Sequence, residues 1–471
     1  MGNRPAQCAS ILFCAAAALS QTAWGQWSSN PATNLPIAVR LNNDQVQPKL
    51  RPLPNDQWYL SWFDANPNSP PPVGYDVFLQ RLSPTGVAQY PHYGVMVADL
   101  SNSSTEDYGL DIDTTGNALL AFQDTREGSN LQITAAKIDR IGNPVWGPKG
   151  VQLTNDQHFN AVPKIAGTTD GMSVVAWTSD SNVVVQKLDA SGAPVWPAPL
   201  VFSQSGYDFT LADLHAADDG SVILSWAESQ GFGSNSQLRA NKISADGALL
   251  WGPDNVVIFD EGSLQFGNFP YFITDGAGGA LFVWYTASPT LQVFTQHISK
   301  DGNELFPHNG VAGSTNQTDV RVEPSVAYLR ATDETFIFWT EEDSLQVYNG
   351  VYGQKFNGKG HAEWGSTGLV VVPLGLNTQD FVKTVMVGPN PLVIWVDSPG
   401  YGRDTIQATL LDDVGYQVCP QFPVSTAPAT KYGLSVAQAA SGLTALAWTD
   451  DRIGNNGIYV QNINADCSLG K

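Results

Sequence analysis

Residues Gly171 to Trp196 read Gly-Met-Ser-Val-Val-Ala-Trp-Thr-Ser-Asp-Ser-Asn-Val-Val-Val-Gln-Lys-Leu-Asp-Ala-Ser-Gly-Ala-Pro-Val-Trp. An apolar run of strand length around Trp177 is followed by a short polar break and then by a second run ending in Gln-Lys-Leu. The turn Asp189-Ala190-Ser191-Gly192 closes the unit on a glycine, as a positive-φ position requires. Two strands bounded in this way read as a hairpin.

The unit recurs. Aligned on its central aromatic, the chain holds eight copies, at Trp62, Phe122, Trp177, Trp226, Trp284, Trp339, Trp395 and Trp448. A period of about 50 residues carried by short strands is the signature of a propeller or a related array. The run around each aromatic is nearly all apolar, which predicts a strand buried on both faces between neighbouring sheets. A third strand follows the turn and is often announced by Trp-Gly, as at Trp146-Gly147, Trp251-Gly252 and Trp364-Gly365. A fourth, frequently opened by Pro48, Pro163, Pro270 or Pro324, leads into the next aromatic run. Four strands per repeat make one blade.

The two ends complement each other. Ile37 to Leu41, followed by Asn42-Asn43-Asp44-Gln45 and Pro48-Lys49, matches Val151 to Leu153, followed by Asn155-Asp156-Gln157 and Pro163-Lys164. The N-terminal strand is an outer strand without a blade, and the last copy stops before its outer strand. The expected fold is therefore all-β: an eight-bladed propeller of four-stranded antiparallel blades, closed by an N-terminal strand that completes the last blade. Closure removes the exposed sheet edges that an open array would leave.

Residues 1–25 read as a secretory signal, with Arg4, the apolar run Ile11 to Leu19 and a small-x-small site at Ala23-Trp24-Gly25. Residues 26–471 are then a single propeller domain, expected outside the cell or in the periplasm. Removing the signal leaves two cysteines, Cys419 and Cys467. In an oxidising compartment these read as one disulfide, against two buried free thiols. The formal charge is −21 for the whole chain. Such a balance disfavours nucleic acid and anionic membranes as partners, and no segment is expected to insert into a bilayer. A monomer is expected.

These repeats resemble the tandem propeller repeats of secreted bacterial proteins that read roughly Trp-x-Asp-x-Arg, then Tyr-Val-Gln-Lys-Leu-Asp-x-x-Gly, then Trp-Gly. The fullest copies here are Trp448-Thr449-Asp450-Asp451-Arg452 with Tyr459-Val460-Gln461, and Phe122-Gln123-Asp124-Thr125-Arg126 with Ile138-Asp139. The resemblance covers nearly all of residues 36 to 467. It implies a fold and an exported setting, but no activity.

Two positions beyond the central aromatic, six copies carry a carboxylate: Asp64, Asp124, Glu228, Glu341, Asp397 and Asp450. They read as an acidic rim on the loop face, or as strand-end acids that bond to the following loop or to Arg126 and Arg452. The inter-blade loops hold Tyr108, His158, Phe159, Tyr207, Phe209, Phe266 and Phe381, commonly beside amides or acids. Rings beside amides suit a neutral sugar surface, although each ring could equally staple its own loop. No cofactor is expected. Calcium has no spaced oxygen-ligand loop to support it, the six histidines lack metal spacing, and no nucleophile elbow or arginine cluster is evident.

The resulting expectation is an exported, non-enzymatic module that binds a glycan or a protein through its loop-rich face, with no catalytic residue. The alternative is a carbohydrate-active enzyme, hydrolase or lyase, using carboxylates of the acidic rim.

Overall fold

The computed structural model describes residues 26–41, 43–65, 74–102, 107–125, 130–231, 233–265, 267 and 270–470. The expected signal segment, Phe266 and Arg126 lie outside the described residues. Within them every regular element is a strand, and the strands form eight antiparallel sheets arranged as a ring of blades.

Blade 1 comprises Gln45–Leu53, Gln57–Ala65, Tyr75–Leu82 and Val95–Asn102, numbered outward from the axis. The inner strands of the next three blades are Gly109–Ile112, Asn160–Gly167 and Asp208–Ala216. In blade 5 the inner strand is split into Ser263–Leu264 and Tyr271–Thr274, both paired with Ala280–Ser288. Blades 6, 7 and 8 start with Val320–Leu329, Thr378–Val387 and Lys431–Gln438. Each central aromatic lies on the second strand of its blade, and all eight are buried. The apolar run predicted both-face burial, and Ala118–Asp124 and Thr444–Asp450 are buried at every position. The core is accordingly a series of layers between adjacent blades rather than one central mass.

The repeat motifs act as latches between blades. The Trp-Gly tryptophan of one blade donates its indole N–H to the turn of the next: Trp146 to the Ala190 carbonyl (3.0 Å), Trp251 to Lys300 (3.1 Å) and Trp364 to Asp413 (3.0 Å). The turn glycine makes room for that ring. At Gly192 φ is +88°, and a Cβ would lie 3.0 Å from Trp146 Cγ and 2.7 Å from Val151. Within the Gln-Lys-Leu triplet the glutamine clamps the Trp-Gly segment of its own blade; Gln354 Nε2 donates to the Gly365 carbonyl at 2.7 Å. The lysine pairs with an acid in the turn between the first two strands, as in Lys137–Asp113 (2.7 Å), Lys187–Asp170 (2.6 Å) and Lys242–Asp219 (2.8 Å).

Closure occurs as expected. Leu35–Ala38 pairs with Gly457–Ile463, with Leu35 opposite Val460, and so completes blade 8. The N-terminal segment also supplies blade 8 with its missing latch: Trp27 donates to the Pro84 carbonyl at 2.9 Å, and Gln461 clamps the Ser28 carbonyl at 2.6 Å. Cys419, on the outer strand of blade 7 (Gln417–Ser425), is bonded to Cys467, in the segment that follows the third strand of blade 8. The bridge spans 48 residues and ties the closing blade to its neighbour.

Candidate functional site

The inner strands line the axis, and their pairing with the second strands defines one tier around it. The residues opposite the position before each central aromatic are Lys49, Gly109, Lys164, Asp213, Tyr271, Ser325, Lys383 and Ser435. In most blades a bulge lies just before this position. It holds Gln47, Val162, Glu323 and Phe381 at φ values of 54°, 44°, 52° and 53°. A non-glycine residue in this region costs about 1–3 kcal/mol, and for the β-branched Val162 the conformation is a genuine outlier. The inner strand is an edge strand with a bulge, so it tolerates Pro48, Pro163 and Pro324 without losing a ladder bond.

Hydrogen bonds from this tier join the blades at the axis. Ser435 Oγ accepts from Leu50 N (3.1 Å), Ser325 Oγ from Thr384 N (2.9 Å), Tyr271 Oη from Val326 N (3.0 Å) and Asp213 from Phe272 N (3.3 Å). The charges are less evenly matched. Asp107 is shared by Lys49 (2.5 Å) and Lys164, Asp111 pairs with Arg51 (2.6 Å), and Asp213 pairs with His215 (2.9 Å). Lys383 has no ion pair or hydrogen bond among the described residues.

Burial alone would raise the Asp107 carboxyl, but Lys164 and Lys49 hold it well below the ordinary range. Burial likewise opposes ionisation of Asp213, and His215 and Lys164 bring it down to about 2. Asp380 behaves in the opposite way: burial, and then the charges of Glu323, Asp404 and Glu342, push it up to about 6. Burial lowers the Lys383 amine, against the pull of Glu323. Asp380 and Lys383 face the same side. The bulge between them leaves them opposite Val396 and Ile394, which both pack toward blade 8.

Around this tier lies an axial cavity of about 980 Å³, whose walls include Tyr108, Tyr271, Phe381, Asp107, Asp213 and Lys383. A side cavity of about 440 Å³ between blades 5, 6 and 7 shares Tyr271, Phe381 and Lys383 and adds Glu323 and Tyr285. A crevice of about 680 Å³ between blades 7 and 8, around Gly388 and Ser441, has no titratable side chain in its lining. The chemistry is thus concentrated on the axis.

The residues singled out from the sequence are dispersed. Of the six carboxylates, Asp64, Asp124, Glu228, Glu341 and Asp450 are buried between strands. Asp64 pairs with Arg40 (3.2 Å), Glu228 with Arg239 (2.7 Å), Glu341 with Arg321 (2.7 Å), and Asp450 with Arg452 (2.5 Å) and Lys431 (3.4 Å). Asp124 accepts from Thr134, and the half-buried Asp397 accepts from Gln379 (2.7 Å) and Asn377. Phe209 packs on Trp226 in the core. Tyr108 is buried, bonded to Ser61 (2.9 Å) and the Gln47 carbonyl, with Lys49 over its ring. Tyr207 accepts from Gln230 (2.7 Å). His158 pairs with Asp180 (2.5 Å) on the surface beside the exposed Phe159. Of this set, Tyr108 and Phe381 reach the axial cavity. Among the described residues, no group of three or more His, Cys, Asp or Glu is placed to hold a metal ion.

The sequence reading missed Lys49, Lys164, Lys383, Asp213 and Asp380. A signal was present: Lys49, Lys164, Tyr271 and Ser325 each follow a proline, which in three of the four blades lies within the inner strand at its bulge rather than at the strand's start.

No family model matches the chain, and no curated protein is similar to it. Solved structures do resemble it. Prolyl oligopeptidase B from Galerina marginata matches with 12% identity and a TM-score of 0.45 over 88% of this chain, which spans 56% of that enzyme. An α-L-arabinanase from Penicillium chrysogenum, complexed with arabinobiose, matches with 12% identity and a TM-score of 0.40, covering 93% of this chain and 100% of that one. An α-L-arabinofuranosidase from Clostridium thermocellum matches with 14% identity and a TM-score of 0.33, covering 56% and 93%. At such identities the likeness bears on the fold alone. The expectation of a non-enzymatic binding module is not kept; its alternative, a carbohydrate-active enzyme, is taken up below as a proposal from the residues of the axis. A linear motif is a poor guide to such an axis, because the residues that meet there come from eight separate strands.

Proposed function

We propose that the protein is a carbohydrate-active enzyme that cleaves a glycan in the axial cavity. The observation that carries this reading is the lining of the axial cavity, which brings the carboxylates Asp107, Asp111 and Asp213 together with the rings of Tyr271 and Phe381; Asp213 is held down to about 2, whereas Asp380, which precedes the lining residue Phe381 in the chain, is raised to about 6. Groups whose environments push their pKa values apart are how one site holds an acid and a base at the same pH. In this reading Asp380, neutral below about pH 6, gives its proton to the leaving oxygen directly or through a water, and the ionised Asp213 assists the water that attacks the sugar carbon and replaces that oxygen. Tyr271 and Phe381 offer flat apolar surfaces of the kind on which sugar rings stack.

The disulfide and the lack, among the described residues, of a helix long and apolar enough to cross a membrane are consistent with an exported chain. In this proposal the segment 1–25 directs export, the repeats belong with those of secreted bacterial propellers, and the enzyme works as a monomer.

The test is a panel of plant and microbial glycans incubated with the protein, scored for new reducing ends and for the ultraviolet absorbance of unsaturated sugars. Cleavage is expected, and Asp380→Asn should lower its rate ~10²–10⁴-fold with the fold intact. Because the acid must be protonated, the rate should fall as pH rises through about 6. A rate that is level across this range, or unchanged in Asp380→Asn, removes Asp380 from the role.

A further inference from the structure

We propose that the glycan is anionic and that Lys383 binds a carboxylate carried on one of its sugar rings; this rests on the reading of the axial cavity as a carbohydrate-active site. The chain as a whole has 23 Lys and Arg against 44 Asp and Glu. The axial cavity inverts that balance, with four cations, Lys49, Arg51, Lys164 and Lys383, against three acids, Asp107, Asp111 and Asp213. The excess at the axis is a single positive charge in a chain that is strongly negative overall, so what the cavity attracts depends on which of its cations is left without a protein partner.

The four cations are not equivalent. Arg51 is neutralised by Asp111, and one carboxylate, Asp107, serves both Lys49 and Lys164. Among the described residues none of these acids pairs with Lys383; Asp213 is engaged instead by His215 and by the backbone N–H groups of Leu214 and Phe272. Glu323, the acid nearest in its electrostatic effect, accepts instead from Phe381 N at 2.8 Å. The other blades settle this tier internally: serine and tyrosine hydroxyls accept from the next inner strand at Ser325, Ser435 and Tyr271. Blade 7 alone presents there an ammonium group without a protein partner among the described residues.

A half-buried amine pays part of its desolvation cost with nothing in return, which is why burial lowers its pKa. A ligand carboxylate would supply the missing charge-assisted bond. The size of the cavity, at the upper end of the ~300–1,000 Å³ range of small-molecule sites, and the ring faces of Tyr271 and Phe381 suit a short sugar chain better than a bare inorganic anion.

The experiment is calorimetric titration of the protein with a uronate oligosaccharide, with the same oligosaccharide after reduction of its carboxyls, and with a sulfated neutral oligosaccharide. The uronate should bind ~10- to 100-fold more tightly than its reduced form. Lys383→Met should abolish that preference, and Lys383→Arg should keep most of it. Equal binding of the reduced form, tighter binding of the sulfated one, or a preference that survives Lys383→Met would each overturn the inference. Cleavage of the reduced glycan in that event leaves the carbohydrate-active reading standing; binding and cleavage of none of the three overturns both.

Discussion

The latches between blades and the tier at the axis are built from the same repeat, yet they obey different rules. At the latches the copies share one problem, holding a neighbour, and most solve it with the same parts: a tryptophan on a turn glycine, an amide clamp and a buried lysine–acid pair. At the axis the copies diverge into lysine, glycine, aspartate, tyrosine and serine, on backbone that is strained at Gln47, Val162, Glu323 and Phe381. The difference teaches that this propeller separates stability from chemistry by radius. Strain, and a cation without a partner among the described residues, are tolerated at the axis because latching elsewhere over-determines the fold.

Substitutions on the two sides should therefore have opposite signatures. The largest structural effect is expected from Trp251→Ala, which removes a buried ring and its bond to Lys300. It should cost about 3–5 kcal/mol, read as a lowered denaturant midpoint, while the surviving folded fraction keeps its turnover. Loss of turnover in a fully folded variant would break the separation.

Replacing Cys419 and Cys467 with serine opens a 48-residue loop. The expected cost is about 2–4 kcal/mol, again with no change in cleavage by folded protein. An unchanged melting temperature would show that Trp27 and the strand Leu35–Ala38 close the ring on their own.

A smaller effect concerns acid. Burial opposes ionisation of Asp113, but bonds from Lys137, Thr115 and Asn117 lower its carboxyl to about 2, below its value in an unfolded chain. The stability it contributes is present above the unfolded value of ~4 and is lost as pH falls toward 2. Asp113→Asn should flatten the acid side of the stability profile, measured by thermal unfolding between these limits. A profile as steep as that of the parent would place the acid sensitivity in other carboxylates.

The smallest change is expected at Phe159, an exposed ring on the inter-blade loop face. Phe159→Ala should alter stability by less than about 0.5 kcal/mol and leave glycan binding unchanged. A clear loss of binding would extend the site from the axis to the loops.

Much of the ring was legible before any coordinates. The apolar run around Trp177, the Gln186-Lys187 pair and Gly192 recur because each blade buries its faces against two others, and a shared packing problem leaves a periodic trace. The missing outer strand of the last copy and the spare strand at Ile37 could be matched for the same reason. The acids two positions beyond each aromatic were also visible, but not their partners. Arg239 and Arg321 reach Glu228 and Glu341 from other strands, and Arg40 reaches Asp64 from the segment before the first blade, at separations with no fixed spacing.

The sequence by itself determined the fold: eight copies, four strands in each, closed through the N-terminus and bridged at Cys419 and Cys467. Only the tertiary structure decided the site. Lys49, Lys164 and Lys383 lie in blades 1, 3 and 7, and ring closure alone brings them around one cavity. The raised carboxyl of Asp380 depends on burial and on charges from Glu323, Asp404 and Glu342, and these are properties of distance and dielectric that a linear order does not contain.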